Sequence, residues 1–515
     1  MGFRFCFSPA LKPAAAIHTA RAAAFRTMNP LIVIYGSTGA GKSDLAVELA
    51  TRFNGEIINA DAMQMYKGLP IITNKLRDEE QRGIPHHLLG SIGLDEDPWA
   101  VTHFRKEATR IISEIRARGK LPIVVGGTSY YLDGLLFEGR VVEDSPTAGG
   151  DGGGGGVASV REELAAKHPI LNASAEAMLA KLREVDPVMA DRWHPNDVRK
   201  IRTSLEIYLS TGRRASDIYA EQQRAKQSRR AAPDEDDDGG TAPSPPHPLG
   251  DLLLFWLHAR RDVLNARLDQ RVDKMVRSGL LSETAEVYDY LQRRLAAGET
   301  VDRSKGIWQS IGFRQFEPYL AALRRPDPPG PDAPALEKLR QAGIEDTKTA
   351  TRQYAKYQLR WISMKTLPSL REAGLLDRFY VLDGTDVSRW AAQVLDKAVT
   401  LARQFLGGDL QAMPSPEALS DAAREVLSES AERGRRAAGT PCRKTCDVCG
   451  NNKVLLTEEL WQAHLASRKH QKAVRARKRR SLIPVGDAPK RDLAVVEPQG
   501  SDEEGDETPK SIEAP

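Results

Sequence analysis

The residues Gly36-Ser37-Thr38-Gly39-Ala40-Gly41-Lys42-Ser43 combine glycines, a lysine and hydroxyls at a spacing that suits a phosphate chain. The glycines let backbone N–H groups approach phosphate oxygens, Lys42 adds a point charge, and the Ser43 hydroxyl is placed to ligate Mg2+. This is a P-loop. It specifies a phosphate chain with Mg2+, but not whether that chain belongs to a nucleotide or to another diphosphate. A second constellation lies far downstream. Cys446 and Cys449 are followed, after a loop of 14 residues, by His464, and after five more by His470. Two close thiolates and two imidazoles at that spacing suit a tetrahedral structural Zn2+. Cys442 lies one short loop earlier and fits less well.

These groups need a frame. The apolar run Leu31-Ile32-Val33-Ile34 precedes the P-loop and the helical pattern from Asp44 to Ala50 follows it, giving strand, loop and helix. A second apolar strand, Glu56-Ile57-Ile58-Asn59-Ala60-Asp61, ends in an acid. In a parallel sheet that keeps its chemistry at the carboxyl ends of its strands, Asp61 faces the P-loop crevice; alternatively it caps the segment from Ala62 to Tyr66. A third strand, Leu121 to Val125, delivers the turn Gly126-Gly127-Thr128, which permits close approach of backbone to a ligand or simply tight packing. Tyr130 and Tyr131 follow it, either to stack on a base or to fill the core. Leu252 to Leu257 is another apolar strand, and the helix from Arg260 to Met275 after it carries Arg267 and Arg271 on one face at i, i+4. The expected fold is α/β: a P-loop NTPase-like parallel sheet core with a helical insertion and a C-terminal zinc finger. His86 and His87 lack a third ligand nearby, so no metal is assigned to them.

At 515 residues and a formal net charge of +4, the chain has room for two or three domains, and the placement of cations matters more than their sum. Three of four cysteines crowd near the C-terminus, which fits a metal site in a reducing compartment better than a disulfide framework. No apolar run is long enough to span a membrane, so a soluble protein is expected. Residues 1–28 lack Asp and Glu, carry Arg4, Lys12, Arg21 and Arg26, and read as a mitochondrial presequence or a disordered extension. Translation from Met28 would leave the core intact, which predicts mitochondrial and cytoplasmic products. Core residues 29–142 are followed by a glycine-rich disordered insertion at 143–158, a helical insertion at 159–225 and a disordered linker at 226–250. The core resumes over 251–405, interrupted by a proline-rich stretch at 326–335; then come a linker at 406–440, the finger at 441–475 and a basic, then acidic, tail at 476–515. Within the insertion, Arg199, Lys200 and Arg202 form either a solvated helix face or an RNA-backbone contact. The run from Lys472 to Arg480 is a nuclear-localisation signal, a nonspecific RNA contact or a solvated linker.

Taken in order, these segments resemble the tRNA dimethylallyltransferase (tRNA isopentenyltransferase) family in its eukaryotic form with a zinc finger. The resemblance runs from about Pro30 to about Leu401 and again from about Cys446 to His470. It is carried by the P-loop, Asp61-Ala62-Met63-Gln64-Met65-Tyr66, Gly83 to Leu88, Gly126-Gly127-Thr128, His194-Pro195-Asn196-Asp197, Gln309 to Gln315, and Thr351 to Lys356. It implies that the P-loop holds dimethylallyl diphosphate instead of ATP, and that the acceptor is N6 of adenosine 37 in the anticodon stem-loop of tRNA. It further implies that Asp61 is the general base, that Thr38 and Arg271 lie at the leaving group, and that Asp61, Ala62, Met63, Gln64, Thr128, Arg199, Lys200 and Arg202 contact tRNA. Thr203 stands where relatives often carry arginine, and Ser37 where bacterial relatives have proline. A monomer is expected. A P-loop small-molecule kinase would use the same loop, yet needs neither the basic helices nor the finger. An inactive RNA-binding protein is opposed by intact Lys42, Ser43, Asp61 and Arg271.

Overall fold

Short aliphatic runs bounded by glycine or polar turns form six strands: β1 (Leu31–Gly36), β2 (Gly55–Asn59), β3 (His86–His87), β4 (Leu121–Val125), β5 (Leu252–His258) and β6 (Phe379–Asp383). They make one sheet in the order β3-β2-β4-β1-β5-β6, and every pairing is parallel. The computed structural model describes residues 29–137, 163–231, 247–325, 330, 333–438, 441–449 and 454–481. The expected presequence, the glycine-rich insertion and the acidic tail lie outside these residues.

Side chains alternate across the sheet. Leu31, Val33 and Tyr35 enter one apolar layer, whereas Ile32 and Ile34 enter the other. Burial on both faces explains why these strands read as continuous apolar runs without polar alternation. Helix α1 (Lys42–Phe53) covers the second face with Leu45 and Leu49, and α2 (Val101–Ala117) covers the first with Phe104, Ile111 and Ile115. Helix α3 (Ser129–Leu136) follows the turn after β4. The crossovers leave the loops after β1, β2, β4 and β5 at one edge of the sheet, where α/β folds place ligands.

The edge strand β3 is built from the two histidines themselves. His87 Nε2 lies 2.7 Å from Glu56 Oε2, which also takes Arg118 at 2.6 Å, while Lys120 reaches the other oxygen at 3.0 Å. Burial pushes the Glu56 carboxyl up, but these three partners outweigh it and hold it at about 2.

The helical insertion contains α4 (Ala175–Val185), capped by Ser174, α5 (Val198–Thr211), capped by Asp197, and α6 (Ala215–Ala231). Its own apolar cluster includes Leu171, Met178, Leu182, Ile201, Leu205 and Ile218. Helix α6 corrects the expected linker at 226–250: the backbone stays helical to Ala231, because Ala, Gln, Lys and Arg all favour helix despite their polarity.

Beyond β5 come α7 (Arg261–Arg277), α8 (Leu280–Ala296), α9 (Phe313–Leu323) and α10 (Pro334–Trp361). Pro334 occupies the first turn of α10, where its missing N–H costs nothing, so the proline-rich stretch ends by starting a helix. After β6, α11 (Asp396–Leu406) and α12 (Asp421–Ala438) close the core. The expected linker at 406–440 therefore carries a packed helix: Ala423 is buried and Ser430 shares a 3.0 Å hydrogen bond with Ser363. Its alanines and charges hid an amphipathic pattern within a polar composition.

Strands β7 (Pro441–Thr445) and β8 (Val454–Thr457) pair with each other, followed by α13 (Glu458–Ala466) and α14 (Arg468–Ser481). Cys446, Cys449, His464 and His470 belong to a second compact unit. No helix among the described residues is long and apolar enough to cross a membrane.

Candidate active site and metal centre

The P-loop turns into α1 through Gly41, whose φ of +92° is open to glycine and strained for other residues. Gly36, Gly39 and Ala40 complete the turn. Lys42 Nζ donates back to the carbonyl of Ser37 at 2.8 Å. Burial pushes its amine down to about 8, the Asp61 charge opposes that shift, and Arg271 adds to it. Two polar atoms here are buried without a partner, Ser37 Oγ and Arg271 Nε. Ser43 offers a half-buried hydroxyl at the start of α1. One protein oxygen supplemented by phosphate oxygens and water is a normal set for Mg2+, so the loop fits that ion as a substrate companion.

Thr38 is the junction of the site. Its Oγ1 accepts from Arg271 Nη1 at 2.8 Å, and its backbone N–H donates to Gln358 Oε1 at 2.8 Å. Gln358 Nε2 in turn donates to the carbonyl of Gly127 at 2.8 Å. A Cβ on Gly127 would lie 2.7 Å from Gln358 Nε2 and 3.0 Å from Asp61 Oδ2, so glycine there lets the amide and the carboxylate come together. Asp61 makes the contact of a cap. Its Oδ1 accepts from the backbone N–H of Met63 at 3.1 Å, while Oδ2 lies on the side of Gly127 and Gln358. Burial raises its pKa, with Lys42, the N–H groups of Met63 and Gln64, and Arg271 opposing the rise.

Ala62, Met63, Gln64 and Thr128 surround this carboxylate. Thr128 Oγ1 accepts from the Ala62 N–H at 3.0 Å, and Gln64 Nε2 donates to the carbonyl of Asn74 at 3.0 Å. The Tyr354 hydroxyl hydrogen-bonds with Thr128 and Gln358; burial, then the Asp61 charge, push its pKa up. The cleft thus holds a cationic phosphate end and a carboxylate end.

Arg267 and Arg271, neighbours on α7, separate in role. Arg271 reaches Thr38, whereas Arg267 donates to the carbonyls of Gly384 (2.7 Å) and Thr385, tying α7 to the loop after β6. The basic triad on α5 also divides. Arg202 pairs at 2.9 Å with buried Glu206, Lys200 pairs at 2.6 Å with Asp197, and Arg199 is exposed, its charge opposing the burial-driven rise in the pKa of Tyr130 and Tyr357. Sequence reasoning missed Gln358. The available signal was a glutamine on the buried stripe of α10 formed by Thr347, Thr351 and Ala355, where only a partnered amide belongs.

In the C-terminal unit, one ligand atom each from Cys446, Cys449, His464 and His470 lies within 4.8 Å of every other. His470 Nδ1 is 3.5 Å from Cys446 Sγ, 3.4 Å from Cys449 Sγ and 3.1 Å from His464 Nε2. Zinc bond lengths in a tetrahedron require edges of roughly 3.3–3.8 Å, and the three separations from His470 lie at or near that range, so the donor set suits that ion. Burial pushes the Cys446 thiol up, but hydrogen bonds from Cys449 and Val448 bring it below its ordinary value. The side chain of Cys442 lies outside the described residues.

The fold and cleft define a P-loop α/β protein whose glycine loop and Asp61 carboxylate are linked through Thr38, Gln358 and Gly127. The IPP transferase family model matches residues 64–365, more than half of the chain. The tRNA dimethylallyltransferase of Schizosaccharomyces pombe is 36% identical over 466 residues, covering 88% of this chain and 97% of that relative. The Homo sapiens tRNA dimethylallyltransferase is 32% identical over 450 residues, covering 87% of each. Among solved structures, a eukaryotic dimethylallyltransferase acting on tRNA superposes with a TM-score of 0.66 at 32% identity, covering 88% of this chain and 98% of that chain. The chain belongs to the IPP transferase family, among the tRNA dimethylallyltransferases.

Proposed function

We infer that the protein transfers a dimethylallyl group from dimethylallyl diphosphate to N6 of adenosine 37 in tRNA and releases diphosphate. The observation that carries this reading is the hydrogen-bonded chain from Arg271 through Thr38 and Gln358 to Gly127, beside which the half-buried Asp61 carboxylate lies, so that one network supports both the glycine loop and the carboxylate.

Adenine N6 is a weak nucleophile because its lone pair is delocalised into the ring. Asp61 accepts an N6 proton as the C–N bond forms, while the allylic C–O bond breaks and its electron pair leaves with the diphosphate. Charge grows on that diphosphate. Lys42, Arg271, the Thr38 hydroxyl and the glycine-loop N–H groups line this end, and Lys42 exchanges its bond to the Ser37 carbonyl for the diphosphate, so that donors already in place meet the charge as it develops. Mg2+ held through Ser43 would supply further neutralisation of the leaving oxygens. Ala62, Met63, Gln64 and Thr128 flank the carboxylate and receive the extruded base. Arg199 is the best placed of the α5 cations for an RNA phosphate, because Arg202 and Lys200 already hold acidic partners. Zn2+ at the four C-terminal ligands would act structurally, since every position is taken by protein.

The test is single-turnover transfer of labelled dimethylallyl from its diphosphate to an anticodon stem-loop with A at position 37. RNA labelling that requires Mg2+ is expected. Phosphoryl transfer from ATP with no RNA labelling would replace this reading with a kinase.

A further inference from the structure

Tyr130 and Tyr131 are adjacent in sequence and opposite in environment. Tyr131 is buried, stacks on Phe104 with centroids 4.7 Å apart, and donates to the carbonyl of Trp99 at 2.7 Å. Tyr130 is 41% exposed, two residues past Thr128 at the start of α3. Its ring meets Trp361 of α10 edge to face at 5.9 Å, and Tyr357, which is 55% exposed, also lies 5.9 Å from Trp361. The middle ring is fixed: Trp361 Nε1 donates at 2.8 Å to buried Asp133, which also accepts from Thr366 at 2.9 Å and Tyr35 at 3.3 Å. Arg199, exposed on α5, lies near enough for its charge to act on both exposed tyrosines.

Two features say what the ledge is for. It begins beside the acceptor end of the cleft, since Tyr357 directly precedes Gln358 and Tyr130 closely follows Thr128. It also combines two exposed rings, inclined at 75° and 54° to the fixed Trp361 so that each offers its own surface, with an exposed cation, which suits a polyanion carrying planar bases better than an apolar protein surface. Extruding a base leaves its neighbours with an unstacked face, and an aromatic ledge at the mouth restores that contact.

We propose that Tyr130, Trp361 and Tyr357 form a stacking platform for an unpaired anticodon-loop base next to the extruded adenosine, with Arg199 at the connecting phosphate. The inference rests on the transferase reading above and names how that site holds its RNA.

The full-length protein is tested with an anticodon stem-loop and with two copies carrying an abasic nucleotide at position 36 or 38. Replacing both exposed rings, Tyr130→Leu with Tyr357→Leu, keeps apolar area and removes the π faces; Tyr130→Phe with Tyr357→Phe keeps them. Stacking of one base predicts that the leucine pair weakens RNA binding about tenfold, while the phenylalanine pair stays within about twofold of wild type. One abasic RNA should bind wild type about tenfold more weakly and show no further loss with the leucine pair, because the same contact has been removed from the other side. Affinity for dimethylallyl diphosphate should not change. Leucine-pair binding within twofold of wild type, or losses that multiply for both abasic RNAs, overturns the platform. Wild type that binds RNA but transfers no dimethylallyl group would instead overturn the transferase reading, leaving the platform to be decided by the binding cycle.

Discussion

The cleft and the Cys2His2 centre solve the same problem, holding several polar groups at fixed distances, by opposite means. In the cleft, Thr38 and Gln358 are hydrogen-bonded although 320 positions separate them. In the metal centre, Cys446 and His470 are 24 positions apart and close a short local loop. The first site borrows its geometry from the sheet and from α10, so its shape exists before a substrate arrives. The second has little scaffold of its own, and its geometry is what a bound ion would enforce. A pre-organised site tolerates loss of its ligand and is sensitive to single supporting residues; a metal-organised one should show the reverse.

The largest effect to break or sharpen this contrast is expected at Asp61. Asp61→Asn preserves the size and the bond from Met63 but removes the base, and single-turnover transfer should fall by about 10²–10⁴-fold. Burial raises the Asp61 pKa above its unfolded value, so its charged form disfavours the native state once pH exceeds the usual carboxylate range. The variant should therefore melt above wild type at pH 7, with the gain fading as pH falls below that range. Equal melting curves would mean that the carboxylate is not strained by burial. Wild-type transfer should itself decline as pH falls through the raised pKa.

A smaller loss is expected at Gln358, which touches both ends of the cleft and acts by position. Gln358→Leu leaves the Thr38 N–H and the Gly127 carbonyl without their partner, and misplacement of the two ends should slow single-turnover transfer about 10–100-fold. Apparent KM for each substrate should change much less. A loss confined to KM would show that Gln358 only supports binding.

The smallest effect on chemistry is expected from the metal centre. Cys446→Ser, or chelation of wild type, should abolish bound zinc as measured by metal analysis and remove the C-terminal thermal transition. Transfer to a short stem-loop should change by less than about tenfold, because no ligand of that centre lies in the cleft unit. Loss of transfer comparable to Asp61→Asn would erase the distinction between the two sites.

Much of this molecule was legible from residue order. The P-loop, the strand ending at Asp61 and the Gly126–Thr128 turn each announce themselves through local composition, and the four residues of the Cys2His2 cluster do so by spacing. Helices α6 and α12 were less legible, since their polar residues resemble linker composition while their periodicity and propensity favour helix.

What the sequence determined by itself was the chemistry available: a phosphate loop, a carboxylate, a guanidinium on α7 and a local metal tetrad. Such features depend on contacts within a few residues or on spacing along one segment. Only the tertiary structure decided which groups meet. It sent Arg271 to Thr38 and Arg267 to the loop after β6, sealed Arg202 against Glu206 while leaving Arg199 open, buried Tyr131 and exposed Tyr130, and brought Gln358 to the floor of the cleft. The reason is physical: i, i+4 spacing states that two side chains share a helix face, but the partner of each is set by what packs against that face, and crossovers of more than a hundred residues, after β4 and after β5, supply that packing.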